Sequence, residues 1–94
     1  MITHIVFFKF KDAAHIDRAK HDLLALKEKI PQIRHLEVGV DILRTERSYD
    51  LALIAKFDSL ADLQSYQIHP AHQEVVKFIA EVRESVVAVD YQSE

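Results

Sequence analysis

A phenol and two imidazoles fall within seven residues in the run Tyr66-Gln67-Ile68-His69-Pro70-Ala71-His72. A tyrosine hydroxyl can donate a hydrogen bond to a carbonyl oxygen that is turning into an enolate. A histidine that titrates near neutrality can take up or return a proton. Two further polar groups stand in otherwise apolar stretches, His4 near the start of the chain and Asp90 near its end. A carboxylate beside an imidazole can hold the ring in one tautomer. Tyr66, His72, His4 and Asp90 are therefore the candidate catalytic set, and the chemistry within their reach is proton transfer next to a carbonyl. The chain has no cysteine, which excludes disulfides and a thiolate nucleophile.

The same residues also have a structural reading. A buried His–Asp pair is often no more than a satisfied polar contact. His69, just before Pro70, reads as a cap or packing residue at a helix junction. His69 and His72 lie three apart, but two ligands fall short of the three or four that zinc takes from a protein, so no metal site is expected. His15, His21 and His35 read as solvated helix or edge residues. Phe7, Phe8, Phe57 and Phe78 read as core rather than as a cofactor box.

The elements that must position these groups follow from hydrophobic period and breakers. Residues 2–10 are rich in β-branched and aromatic types and too short for a core helix, so they form a strand. Asp12 can cap a helix to about Ile30 that buries Ile16, Ala19, Leu23, Leu26 and Ile30 on one face, and Pro31 stops it. Residues 35–43 alternate, with Leu36, Val38, Val40 and Ile42 on one side. Arg44 to Ser48 is a polar turn, and 49–57 is a third strand. Ser59 and Asp62 have the spacing of a capping box. That helix ends near His69, because the residue before a proline is pushed out of the α region, and Pro70 suits the first position of the next helix. Residues 85–91 form the last strand. The order is β-α-β-β-α-β, an α+β split βαβ plan with a four-stranded antiparallel sheet and spatial order fourth, first, third, second.

Period two gives each strand two faces. His4, Val6, Phe8, Leu36, Val38, Val40, Leu51, Leu53, Ala55, Val86, Ala88 and Asp90 share one face, which is nearly all apolar and belongs under the helices. His4 and Asp90 are expected as neighbours there, each needing a partner that is worth roughly 1–3 kcal/mol when buried. His72, in the first turn of the last helix, is expected within reach of Asp90. On the opposite face, Ile5, Phe7, Ile54, Val87 and Val89 make a contiguous apolar patch that soluble monomers avoid. A second copy laid over it would cover it, so a homodimer is expected.

Composition agrees with a soluble globular protein, with 49% hydrophobic and 29% charged residues and only one glycine and two prolines. At 94 residues the chain is expected to be one domain, 1–94, small enough to gain from pairing. The net charge is −3 with both signs mixed, so there is no basic stripe for nucleic acid. The apolar start lacks a basic leader and a small-residue cleavage site, and no run is long enough to span a membrane. A cytosolic setting is expected.

The first strand His4-Ile5-Val6-Phe7-Phe8-Lys9-Phe10-Lys11, the Tyr66 to His72 run and the ending Val89-Asp90-Tyr91 together resemble the stress-responsive α/β-barrel (Dabb) family. The resemblance covers essentially the whole chain, and the Y-x-x-H-P-x-H run is its most specific part. It implies a ferredoxin-like fold and a dimeric α/β barrel, and much less about activity. A plant polyketide cyclase of the family is similar in the same motif. There the tyrosine and histidine that match Tyr66 and His72 serve an intramolecular aldol condensation. Its first-strand histidine matches His4 and its last-strand aspartate matches Asp90. It also has a histidine in the third strand where this chain has Leu51, a departure that argues against the same long polyketide.

Two functions remain open on the sequence. One is a homodimer that binds a small apolar carbonyl compound and catalyses a proton transfer or cyclisation without metal or organic cofactor. The other is a structural or stress-related dimer with an incidental cavity. A haem-degrading monooxygenase, which related dimeric barrels include, is disfavoured because the chain has no tryptophan.

Overall fold

The computed structural model describes residues 1–94. Its elements are β1 (Ile2–Phe10), a short 3-10 turn (Ala13–His15), α1 (Ile16–Lys29), β2 (His35–Val40), β3 (Leu51–Phe57), α2 (Leu60–Ile68), α3 (Pro70–Val82) and β4 (Arg83–Gln92). The strands form one antiparallel sheet in the order β2-β3-β1-β4, as expected from the sequence. The fold is ferredoxin-like, with the helices on one side of the sheet. No helix is long and apolar enough to cross a membrane.

Local chemistry accounts for where the helices begin and end. The Asp12 carboxylate accepts from Ala14 N at 2.9 Å, but the cap starts a 3-10 turn and α1 proper begins only at Ile16. Ser59 Oγ accepts from Asp62 N at 3.2 Å at the start of α2. His69 ends α2 in an extended conformation and caps α3, its Nδ1 accepting from Ala71 N at 3.0 Å. That nitrogen accepts, so His69 carries its proton on Nε2 and its role is to join the two helices. α3 passes straight into β4, with Arg83 N–H bonded to Ile79 O.

The two sheet faces divide as the alternation requires. His4, Val6 and Phe8 stand opposite Ala55, Leu53 and Leu51 on one edge of β1, and opposite Asp90, Ala88 and Val86 on the other. This side packs against Ile16, Ala19, Leu23 and Leu26 of α1 and Val75 and Ile79 of α3, in one cluster of 18 buried apolar residues. On the outer side Phe7, Val87 and Val89 are 44%, 46% and 61% exposed. Phe7 therefore belongs to the outer patch, as the alternation requires, and not with Phe8 and Phe57 in the core of the single chain.

The end of β2 and the start of β3 differ from expectation, and one buried carboxylate explains both. β2 stops at Val40, and Ile42 and Leu43 are 89% and 74% exposed rather than continuing the core face. The Asp41 carboxylate accepts from Arg44 N at 2.7 Å and turns the chain, with Arg44 in the left-handed region at φ 55°. The Arg44 guanidinium then reaches Asp50 at 2.9 Å, while the other oxygen of Asp50 accepts from Phe10 N at 2.8 Å. Drawn into these contacts, Asp50 is buried, and β3 begins one residue later, at Leu51. β4 is longer than expected, from Arg83 to Gln92, and its end is tied to the start of β1 through Met1 N to Ser93 O at 3.1 Å and Ser93 N to Met1 O at 2.8 Å.

Replacing Asp50 by alanine leaves the Phe10 amide without its partner in the core and frees the half-exposed Arg44. We expect a loss of about 2–3 kcal/mol, read from the urea midpoint, with most of it from the orphaned amide and little from the screened ion pair. A loss below about 0.5 kcal/mol would mean that water replaces the carboxylate freely.

Candidate functional site

The four candidate residues come from four elements: His4 from β1, Tyr66 from α2, His72 from the first turn of α3 and Asp90 from β4. The break at Pro70 brings Tyr66 and His72 together, since it lets the chain turn between the helices within four residues. Their ring centroids are 4.3 Å apart, and His4 meets Tyr66 edge-on at 6.0 Å. Phe57 closes the far side of Tyr66 at 5.0 Å. Tyr66 is 1% exposed.

The carboxylate serves a different histidine from the one expected. Asp90 stands directly opposite His4 across the β1–β4 ladder, and its Oδ1 is hydrogen-bonded to His4 Nδ1. His72 turns its Nδ1 to the main-chain carbonyl of Gln67 at 3.1 Å. The cause is positional. A direct ladder partner sits on the same face at the shortest cross-strand distance, whereas His72 lies beside a free carbonyl at the end of α2. Carboxylate and carbonyl oxygens only accept, so both histidines carry the proton on Nδ1. That leaves each Nε2 as a bare acceptor when the rings are neutral.

Burial lowers the pKa of His72. The Gln67 hydrogen bond works against that shift, and His4 and His69 add to it by repulsion. Burial also raises the Tyr66 phenol above its usual value, so it remains an O–H donor at neutral pH. No chain atom hydrogen-bonds that hydroxyl, and Gln32 Oε1 is the only fully enclosed side-chain polar atom without a partner. The phenol is therefore met from the adjoining cleft.

That cleft, about 430 Å³, opens between the helices and the β1–β4 edge and is lined chiefly by apolar side chains, among them Val75, Ile79 and Val86. It lies in the usual size range of ligand sites. His4, Tyr66 and His72 line one part of it, and Asp90 stands behind His4. A larger depression of about 570 Å³ lies on the outer face, around Phe7, Gly39, Tyr49 and Ala52. It contains none of the four candidates, so the chemistry belongs to the smaller space. No group of three or more histidine, cysteine or acidic side chains is gathered in a way that could hold a metal ion.

Sequence reasoning missed Gln67 and Arg83. Gln67 acts through its backbone, which has no side-chain signature; Gln73 Nε2 shares the same carbonyl at 2.8 Å. Arg83 lines the cleft because of a strand irregularity that the sequence does not announce.

The lowered His72 pKa has a consequence for stability. The unfolded chain takes up a proton at this residue near its ordinary 6.5, before the folded chain does. Stability from keeping it neutral is present above about pH 6.5 and declines as pH falls towards the folded value. Between pH 7 and pH 5, the melting temperature of wild type should therefore fall more than that of His72→Gln. Parallel pH profiles would contradict the burial of this ring.

Comparisons with known proteins follow the geometry. The sequence profile described as the stress responsive A/B barrel domain (Dabb) matches residues 2–93. The stress-response A/B barrel domain-containing protein DABB1 of Arabidopsis thaliana is 32% identical over 101 residues, covering 100% of this chain and 48% of that protein. This chain thus spans about half the length of that relative. Among solved structures, a dimeric ferredoxin-like protein of unknown function from Bacteroides fragilis is 34% identical with TM-score 0.87, covering 98% of this chain and 95% of that one. Another, from Thermobifida fusca, is 27% identical with TM-score 0.87, covering 98% and 90%.

Proposed function

The chain belongs to the stress-responsive A/B barrel domain family, and we propose that it is a homodimer that binds a small, largely apolar carbonyl compound and moves a proton next to that carbonyl. The observation that carries this reading is the Tyr66 hydroxyl, which no protein group accepts and which a buried side chain presents to the cleft between two histidines of defined tautomer. The surrounding rings offer that hydroxyl no acceptor, so a donor left free at a cleft suits a ligand carbonyl. The dimer is supported by the apolar outer face and by the two similar structures, which are described as dimeric.

In this mechanism the substrate carbonyl oxygen accepts from Tyr66, and negative charge growing on that oxygen strengthens the bond. His4 Nε2 takes the proton from the adjacent carbon. Asp90, at Nδ1, balances the positive charge that the His4 ring gains and keeps its lone pair aimed. His72 is the poorer base here, because burial disfavours its charged form and its orienting group is a neutral carbonyl. It serves as a neutral acceptor for a donor group of the substrate or product. The carbanion formed can be reprotonated elsewhere, which is isomerisation, or attack a second carbonyl of the same molecule, which is cyclisation.

A second reading, a dimer without catalysis, is favoured by one observation. The rings of Phe57, Tyr66, His72 and His4 pack on one another in tilted and edge-on pairs, as a purely structural aromatic cluster does. A thermal-shift and deuterium-exchange screen with β-keto acids and small aromatic ketones separates the two. The catalytic reading expects exchange at the carbon next to the carbonyl, abolished by His4→Ala, lost in large part with Asp90→Asn and slowed roughly 10–1000-fold by Tyr66→Phe. If no compound stabilises wild type or exchanges, and His4→Ala lowers only the melting temperature, the catalytic reading falls.

Light scattering at micromolar concentration should give about twice the 10.9 kDa chain mass. Val89→Asp, a charge placed in the apolar patch of the outer face, should give a folded monomer, since an unpaired charge buried in the dimer costs several kcal/mol. A wild-type monomer would remove the homodimer from the proposal.

A further inference from the structure

The face alternation of β4 breaks at one place. Val86, Ala88 and Asp90 stand opposite Phe8, Val6 and His4 on the cleft side. Counted back by twos, the next residue on that side would be Glu84. The register shifts between Lys9 and Phe10, however, so that Lys9 faces Ser85 and Phe10 faces Arg83. Phe10 is buried under the helices, and Arg83, its partner, takes the same side. Arg83 accordingly lines the cleft and Glu84 does not. Glu84 instead approaches Lys9 of the outer face, at 3.8 Å. An added residue in one strand re-aims side chains in this way, often beside functional sites. Here it replaces a carboxylate at the cleft with a guanidinium.

That guanidinium is uncommitted. Arg18, Arg34 and Arg44 each pair with an aspartate, whereas Arg47, beside the outer-face depression, and Arg83, at the cleft, take part in no ion pair and no side-chain hydrogen bond. The cleft thus has a polar end at His4, Tyr66 and His72, an apolar stretch along Val6, Val86 and Ile79, and a lone cation at the other end. Along β1, His4 and Phe10, the strand partner of Arg83, are six residues apart, roughly 20 Å of strand.

From this arrangement we infer that Arg83 holds an anion, and that the ligand is a carbonyl compound with a carboxylate at the far end of an apolar chain. The inference rests on the reading of the cleft as a carbonyl site and adds to it the class of substrate. A carboxylate fits better than a phosphate monoester. The arginine fork matches either group, but a single guanidinium, exposed where the apolar lining ends, balances one negative charge, and a phosphate monoester carries about 1.5 to 2 at neutral pH.

The test is calorimetric titration with three probes of one chain length: 9-oxodecanoate, its methyl ester and decan-2-one. Wild type should bind 9-oxodecanoate roughly 2–5-fold more tightly than the ester, the scale of one exposed ion pair. Arg83→Gln should remove that advantage and leave binding of the ester and of decan-2-one unchanged. Glu84→Gln, one residue along but on the other face, should retain it. If acid and ester bind wild type equally and Arg83→Gln alters neither, the anion-holding role is overturned while the carbonyl site stands. If none of the three probes binds, the carbonyl site and the role of Arg83 fall together.

Discussion

β1 is hydrogen-bonded along both edges, and its register against β3 and β4 decides which side chain enters which space. Because side chains alternate with a strict period of two, a slip of one residue would turn His4 outward and bring Ile5 beneath the helices. The slip is resisted on both sides at once. Val6 and Phe8 are locked against Leu53 and Leu51, and the Phe10 amide is held by Asp50, a residue whose other oxygen is committed to Arg44. The contact between His4 and Asp90 is possible only in this register. Core packing and site geometry are in this respect one constraint, and the loop from Asp41 to Asp50 helps to enforce it from the opposite end of the strand.

The two histidines illustrate how neighbouring groups of one type are made different. Both have Nδ1 committed, but one commitment is to a carboxylate and the other to a peptide carbonyl. An ionised partner can offset a charge that arrives later; a neutral one fixes only direction. The side chains are alike in sequence terms, and their division follows from where each stands: His4 on a ladder position with a partner strand, His72 at a helix start beside the frayed end of the preceding helix. Tyr66 lies between them, with its hydroxyl kept free because Phe57 and the two imidazoles enclose the ring and offer the oxygen nothing.

The strand order, both sheet faces, the break at Pro70 and the neighbouring positions of His4 and Asp90 were legible in the sequence. Each depends on hydrophobic period or on the rigid stereochemistry of proline, which are local. The orienting partner of His72 was not legible. A main-chain carbonyl is present at every residue, and only the angle between α2 and α3 selects that of Gln67. The end of β2 was misread for a related reason. Ile42 keeps the alternation going in sequence, yet the chain leaves the sheet at Asp41 because a carboxylate nine residues later is drawn into the core. The bulge between Lys9 and Phe10 was equally silent, since no glycine or proline marks it.

The central strand of the sheet is also the first of these residues to be synthesised, and one of its two neighbours is the last. His4 and Asp90 are 86 positions apart, and Met1 meets Ser93 across almost the whole chain. During translation β1 can pair with β3 before β4 has been made, leaving one edge of β1 open in the interval. Open strand edges of this kind invite pairing with other chains, and contacts of such long sequence separation form late and slowly. The cleft therefore gains its second wall, and His4 its carboxylate, only once β4 has joined the sheet. A truncated product that lacks β4 would keep most of the hydrophobic core and still have no site.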